Sequence, residues 1–123
     1  MHDDSHVILR FRDGRTERAT IVEIDSSTET VDATRDADGT PEKLVFTDLK
    51  AVFFPRTEPE DELGEQRAGS LIAVEFADGE VIRGTATYNP EASGFFLYPL
   101  DRSRNVRIFV VRSAIASIEV EIL

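Results

Sequence analysis

The chain has 123 residues, of which 24 are acidic and 14 basic, and its formal net charge is −10. It contains no cysteine, which excludes disulfide bonds, zinc sites built on thiolates and a thiol nucleophile. No apolar run approaches the roughly 18–20 residues that cross a bilayer, and the acidic balance opposes general binding to nucleic-acid phosphates, which relies on clustered lysine and arginine.

Two segments of the chain carry the same pattern, which indicates an internal repeat. Val7–Arg15 and Ile72–Glu80 both place a phenylalanine two residues before Asp-Gly, at an offset of 65 residues. Further along, Leu49–Phe54 is similar to Ile115–Val120 at an offset of 66. The sequence therefore predicts that one small unit occurs twice.

The segment between the two units has the composition of a solvated linker. It contains two prolines, two glycines and five acidic residues, Glu58, Glu60, Asp61, Glu62 and Glu65. We therefore predict a first small β-barrel over residues 1–54, an acidic linker over 55–70 and a second small β-barrel over 71–123.

Each unit shows the pattern of five short strands. Leu9 and Phe11 alternate with arginines, and Ile72, Val74 and Phe76 alternate with small or polar residues, as expected of half-buried strands. An Asp-Gly pair follows each run and predicts a tight hairpin. The later strands are predicted at Arg15–Ile24, Thr28–Thr34, Glu42–Phe46 and Lys50–Phe54, and at Glu80–Tyr88, Phe95–Tyr98, Val106–Val111 and Ile115–Ile122.

Three stretches are apolar on both faces: Phe95–Tyr98, Ile108–Val111 and Val52–Phe54. A strand with one wet face would alternate, so these strands are expected to be covered on both sides. The cover is predicted to be the other unit, a second chain, or both. The candidate interface residues are Phe53, Phe54, Phe95, Phe96, Tyr98 and Phe109.

The second unit resembles an Sm-like barrel, a member of the broader group of SH3-like small barrels. The residues that carry this resemblance are Val74–Gly79, the glycine at Gly84 inside the next strand, and the closing segment Arg112–Ile118. The resemblance implies an all-β fold, a tandem pair of five-stranded Sm-like/SH3-like small barrels packed together.

Three sequence segments indicate a narrower resemblance: Leu49–Phe54, Gly94–Pro99 and Arg107–Arg112. They are similar to those of an uncharacterised bacterial domain family with a duplicated β unit. The family has no assigned activity, so this resemblance leaves function open.

The sequence offers no convincing catalytic or metal site. His2 and His6 lie beside Asp3 and Asp4, where an N-terminal tail is the expected structure, and no further ligand is placed by the sequence. The sequence also has no nucleophile elbow of the G-x-S-x-G type. Neither an enzyme activity nor a cofactor is predicted.

The remaining acidic motifs are explained by turns or solvation. Asp13 and Asp78 precede glycines, which is turn chemistry, and the linker acids form a charged solvated run. Asp36–Gly39 is similar to part of a calcium loop but lacks the later bidentate glutamate. Asp25–Ser27 lacks the glycine required by the PilZ type of cyclic-dinucleotide reader.

Basic residues supply the second candidate function. Sm-like proteins bind RNA at rim loops with a basic residue in the last turn, and Arg112 occupies that position. The alternative function is therefore an RNA- or nucleotide-binding module that uses Arg102, Arg104, Arg107 and Arg112. The arginines of the first hairpin, Arg10, Arg12 and Arg18, alternate with acidic residues and are expected to form cross-strand ion pairs.

The leading hypothesis is a non-enzymatic interaction or scaffold module that associates with itself or with another protein. Its recognition surface is predicted at the rim loops or at an exposed strand edge. Because the first residues do not have the pattern of a secretory signal, a cytoplasmic protein is expected.

Overall fold

A computed structural model describes residues 6–55, 69–87, 89, 91–101 and 104–121. The described residues form ten β-strands: β1 His6–Phe11, β2 Thr16–Asp25, β3 Thr30–Arg35, β4 Pro41–Val45, β5 Leu49–Pro55, β6 Ser70–Phe76, β7 Val81–Ala86, β8 Gly94–Pro99, β9 Asn105–Val111 and β10 Ile115–Glu121. Two short 3₁₀ turns, Phe46–Asp48 and Arg112–Ala114, lead into β5 and β10. The all-β prediction is confirmed, and the strand bounds agree closely with those predicted.

The two Asp-Gly hairpins form because glycine accepts the left-handed backbone conformation that the turn requires. Gly14 and Gly79 both have a φ of +96°. The preceding aspartates hold the turns by accepting backbone hydrogen bonds, Asp13 from the N–H of Arg15 and Asp78 from the N–H of Glu80, each at 3.0 Å. These contacts match the turn role predicted for Asp13 and Asp78.

All ten strands belong to one antiparallel sheet in the order β10-β6-β7-β8-β9-β5-β1-β2-β3-β4. We call β1–β5 the first half and β6–β10 the second half. The sheet is not closed, so the prediction of two tandem small barrels is not confirmed. The reason lies in the pairing: β5 of the first half forms its second ladder with β9 of the second half, which leaves β4 and β10 as the free edges of the sheet formed by the described strands.

The strand registers of the two halves correspond. Ile8 lies opposite Phe53 in the first half, and Ala73 lies opposite Glu119 in the second. The register shift between β1 and β5 falls at the same place as that between β6 and β10. Phe53 of β5 and Glu119 of β10 therefore hold equivalent positions.

The fourth strands of the two halves, β4 and β9, can be matched in the same way. Thr20 and Thr85, which are 65 residues apart, lie opposite Thr34 and Tyr98, so the preceding residues Ala33 and Leu97 are equivalent. Ala33 lies opposite Glu42, and Leu97 lies opposite Ile108. Glu42 is thus equivalent to Ile108. The next residue along each strand, Lys43 in β4 and Phe109 in β9, forms a second equivalent pair.

The buried apolar residues form one cluster that includes both halves. Leu9 and Val52 are fully buried in the first half, as are Ile72 and Val74 in the second. Gly84 of β7 permits a close approach to β8, because an added Cβ would lie 2.3 Å from the carbonyl oxygen of Tyr98. Across the described ranges, no helix has the length and apolar character needed to cross a membrane.

Candidate functional site

The two halves meet along β5 and β9, which pair in antiparallel fashion with Val52 opposite Phe109 and Phe53 opposite Ile108. Six of the seven residues of β5 are buried. Because successive side chains of a strand point to opposite faces, both faces of β5 must be covered. The Phe109 ring lies 5.6 Å from that of Phe46, so β9 contributes an aromatic side chain to the core of the first half.

The aromatic residues predicted from the sequence as an interface lie at or beside this junction. Phe53, Phe54, Phe95 and Phe109 are buried, whereas Phe96 and Tyr98 are half-buried. The Phe96 ring lies 5.9 Å from Phe54 of the other half and 5.2 Å from Phe109. The contacts between β5 and β9 are therefore internal to the chain, and association with a second chain through these residues stays a prediction.

A buried lysine also connects the halves. The Lys50 side chain is 7% exposed, and its Nζ donates to Asp78 Oδ2 at 2.8 Å and to Glu80 Oε1 at 2.5 Å. The same Nζ lies 4.7 Å from the centroid of the Phe76 ring, a cation–π distance. Its hydrogen bond lowers the pKa of the Asp78 carboxyl. The position equivalent to Lys50 in the second half is Ala116.

Arg12 makes another polar connection between the halves. Its guanidinium donates to the carbonyl oxygens of Leu49 at 2.9 Å and Phe46 at 3.0 Å, both in the first half. It also donates to the carbonyl and the hydroxyl of Ser113 in the second half. Arg12 thereby ties one 3₁₀ turn to the other, and the cross-strand ion pair predicted for it is not what the structure shows.

Arg12 and Lys50 line a small cleft of about 70 Å³ together with Phe76, Asp78 and Ser113. Both cations are already bonded to protein groups, so the cleft offers little free charge to a ligand. Within the parts of the chain that the structure describes, no three histidine, aspartate or glutamate side chains are grouped as metal ligands.

The free edge of β10 differs from its equivalent, β5. Among the strands that the structure describes, β10 pairs with β6 on one side only. Val120 is 52% exposed, whereas its equivalent Phe54 is 3% exposed. Ile118 and Val120 lie opposite the fully buried Val74 and Ile72. The apolar side chains of this edge, Ile118 and Val120, are therefore only partly covered, whereas the layer behind them is buried.

The opposite face of β10 is acidic. Glu119 and Glu121 lie on this face beside Ser117, whose hydroxyl is 3.4 Å from Glu75. Arg83 forms a bidentate ion pair with Glu121 at 2.8 Å. Among the residues that the structure describes, Glu119 and Glu75 have no ion-pair partner, so this edge carries uncompensated negative charge.

The free edge of β4 is protected by polar residues. It begins with Pro41, which has no backbone N–H, and exposes Lys43, which pairs with Asp32 at 2.9 Å. Glu42 points the other way and contacts Arg35 at 3.2 Å, with Glu17 3.7 Å from Arg35. Burial raises the pKa of the Glu17 carboxyl, and Glu42 raises it further.

Two of the arginines predicted to bind nucleic acid, Arg107 and Arg112, lie near opposite ends of β9. Arg104 precedes β9 and Arg107 lies near its start, whereas Arg112 follows its end, roughly 15–20 Å away at about 3.3 Å per residue. The Arg107 guanidinium lies 4.3 Å from the centroid of Phe54. Arg102 lies outside the described residues.

His6 is predicted from the sequence to lie in an N-terminal tail, but in the structure it is the first residue of β1. Its Nδ1 lies 3.3 Å from the Thr20 hydroxyl and 3.7 Å from Asp36. His2 and the linker acids lie outside the described residues. Asp36–Gly39 forms a turn in which the Gly39 N–H donates to the Arg35 carbonyl.

Lys50 and Arg12 form contacts between the halves that the sequence does not predict. Lys50 stands between Leu49 and Ala51 in an apolar run, and a lone lysine in such a run is a signal that a buried ion pair is present. Arg12 carried no comparable signal, because three of its four acceptors are backbone carbonyls.

The strands and their edges define an all-β domain whose two halves share one open sheet. The chain belongs to a family of unknown function, DUF6982, whose model matches residues 3–121. Comparisons with the curated proteins and with the solved structures found no match.

Proposed function

We propose that this domain is a non-catalytic interaction module that binds an extended partner segment along the free edge of β10. The observation that carries the proposal is the contrast between two equivalent strands: β5 is paired on both sides and buried, whereas β10 is paired on one side and leaves Val120 half exposed. An edge with free backbone donors and acceptors is a known mode of peptide recognition.

The pairing of β5 with β9 provides the template for this docking. β9 supplies a hydrogen-bonding strand and places Phe109 against the core of the first half. A partner strand on β10 would do the same for the second half. The corresponding strand registers support the sequence prediction that the halves are two copies of one unit.

A binding role suits the polar groups better than catalysis does. Lys50 and Arg12 are engaged in contacts that hold the two halves together, and the cleft beside them is small. The separation of Arg107 from Arg112 along β9 does not support RNA binding. The cytoplasmic location and the self-association expected from the sequence stay predictions.

The test uses a short peptide in which valine alternates with threonine, added to the full chain labelled with ¹⁵N. We expect the largest changes in amide chemical shift in β10 and β6. Val120→Glu should abolish these changes, because it places a charge on the apolar side of the edge.

The matched control is Val22→Glu, since Val22 is also exposed, at 67%, but lies on the inner strand β2 of the first half. This variant should bind the peptide as the wild type does. If both variants lose binding equally, or if the shifts fall outside β10 and β6, the proposal is wrong.

A further inference from the structure

We infer that the partner segment at β10 alternates apolar with basic residues and is not β4 of a second copy of this chain. The inference rests on the interaction function proposed above and names the chemistry of its partner. It follows from the two faces of β10 and from a comparison of the free edges with the internal junction.

The inner face of the edge requires apolar side chains. Ile118 and Val120 continue the layer formed by Val74 and Ile72, which are fully buried. At the junction, Val52, the equivalent of Ile118, lies opposite the apolar Phe109. Phe54, the equivalent of Val120, lies opposite Arg107, whose guanidinium is 4.3 Å from the centroid of the Phe54 ring, and Val120 has no ring to offer such a contact. A partner strand therefore needs apolar side chains opposite Ile118 and Val120, where they would remove these residues from water.

The outer face of the same edge requires positive charge. Glu119 projects between Ile118 and Val120 to the opposite face, and Glu75 lies on that face one strand further in. Opposite charges directly across an antiparallel pair stabilise it, whereas like charges destabilise it. A lysine or arginine opposite Glu119 therefore fits this position, and the alternation of strand side chains makes the segment apolar–basic–apolar.

The other free edge of the same chain does not fit these requirements. In the register of the junction, β4 would bring Glu42 opposite Glu119, where the junction has Ile108 opposite Phe53. It would also bring Lys43 opposite Ile118, where the junction has Phe109 opposite Val52. Two carboxylates would face each other and an ammonium group would enter the apolar layer. Head-to-tail pairing of copies is therefore disfavoured.

The experiment compares three peptides of equal length by fluorescence anisotropy with the full chain at 150 mM salt. Valine alternates with arginine in the first, with glutamate in the second and with threonine in the third. We expect the arginine peptide to bind about tenfold more tightly than the glutamate peptide, the effect of exchanging an attractive for a repulsive cross-strand pair.

Charge variants separate this pairing from general attraction to an acidic protein. Glu119→Lys should reverse the preference between the arginine and glutamate peptides. Glu23→Lys changes the net charge equally at an exposed site on β2 and should preserve the preference.

If the threonine peptide binds at β10 but arginine gives no advantage, or if both variants behave alike, the inference is wrong and the proposed function stands. If no peptide binds to β10, both are wrong.

Discussion

The Nζ of Lys50 lies 2.8 Å from Oδ2 of Asp78 and thereby joins the central strand β5 of the first half to a hairpin of the second. The lysine is buried, but the Asp78 side chain is 53% exposed. The carboxylate can return to water when its partner is removed. We therefore expect removal of this ion pair to change the pH dependence of the free energy of unfolding more than it changes the free energy of unfolding at neutral pH.

Lys50→Met tests this pair. Asp78 has a pKa below its usual value of 3.8 in the folded chain, so its stabilising effect is present above about pH 4 and is lost as the pH falls through the lower folded-state pKa. The variant should lose less stability than the wild type between pH 5 and pH 2. At pH 7 its free energy of unfolding should change by no more than about 1 kcal/mol, since methionine keeps the apolar contacts.

Urea denaturation at several pH values, followed by circular dichroism, measures both effects. Lys43→Met is the control, because Lys43 is an exposed lysine paired with Asp32 on an edge strand. An unchanged acid dependence in Lys50→Met would contradict the role assigned to this ion pair.

Phe109→Ala is expected to destabilise the whole chain by about 3–5 kcal/mol, the usual cost of removing a buried phenylalanine. Phe109 contacts Phe46 and Phe96, which belong to different halves. Chemical unfolding should nonetheless show one transition in wild type and variant, because the core is continuous. Val45→Ala, on an exposed edge, should cost less than about 0.5 kcal/mol. Separate transitions for the two halves would argue against a shared core.

Glu17→Gln should raise the free energy of unfolding at pH 7 and leave it nearly unchanged at pH 4. Burial raises the folded-state pKa of Glu17 above its usual value of 4.5. Protonated Glu17 therefore makes its full contribution to the free energy of unfolding below the unfolded-state pKa, and this contribution is lost as the pH rises through the folded-state pKa. Thermal melts at both pH values measure this difference. Glu23→Gln is the exposed control on the same strand, and an equal gain in both variants would refute the explanation.

A triple variant, Glu42→Ile with Lys43→Phe and Glu119→Phe, gives both free edges the residues of the junction. It should associate head to tail in sedimentation velocity, with an average sedimentation coefficient that rises with concentration. Glu119→Phe alone should sediment as the wild type does, because Glu42 and Lys43 still oppose pairing. If the folded triple variant shows no association, these charges are not what limits edge pairing.

The sequence was most informative where a pattern depends on neighbouring residues. Alternation around Leu9 and Val74 identified half-buried strands, and the Asp-Gly pairs identified both hairpins. The apolar run at Ile108–Val111 correctly indicated a strand covered on both faces. None of these patterns specifies which strand lies beside which, so the pairing of β5 with β9 and the single open sheet could not be predicted.

The candidate site was harder to predict for a similar reason. Glu119 and Phe53 can be compared only when the strand registers show that they hold equivalent positions. The comparison is informative because Glu119 lies at a free edge and Phe53 lies at the junction. Arg12 was expected to pair with acids, but it donates to backbone carbonyls at or beside the two 3₁₀ turns and to the Ser113 hydroxyl. Contacts of this kind depend on backbone geometry and cannot be predicted from the amino-acid composition.

The position of β9 in the sheet has a consequence for synthesis on the ribosome. β5 emerges early, yet the strand that covers its second edge is made almost last. During that interval the edge of β5 that faces away from β1 would lack a partner strand at Val52 and Phe54, and an exposed apolar edge favours aggregation. A chain that stops before β9 would keep this hazard permanently, so premature termination should yield insoluble protein rather than a working first half.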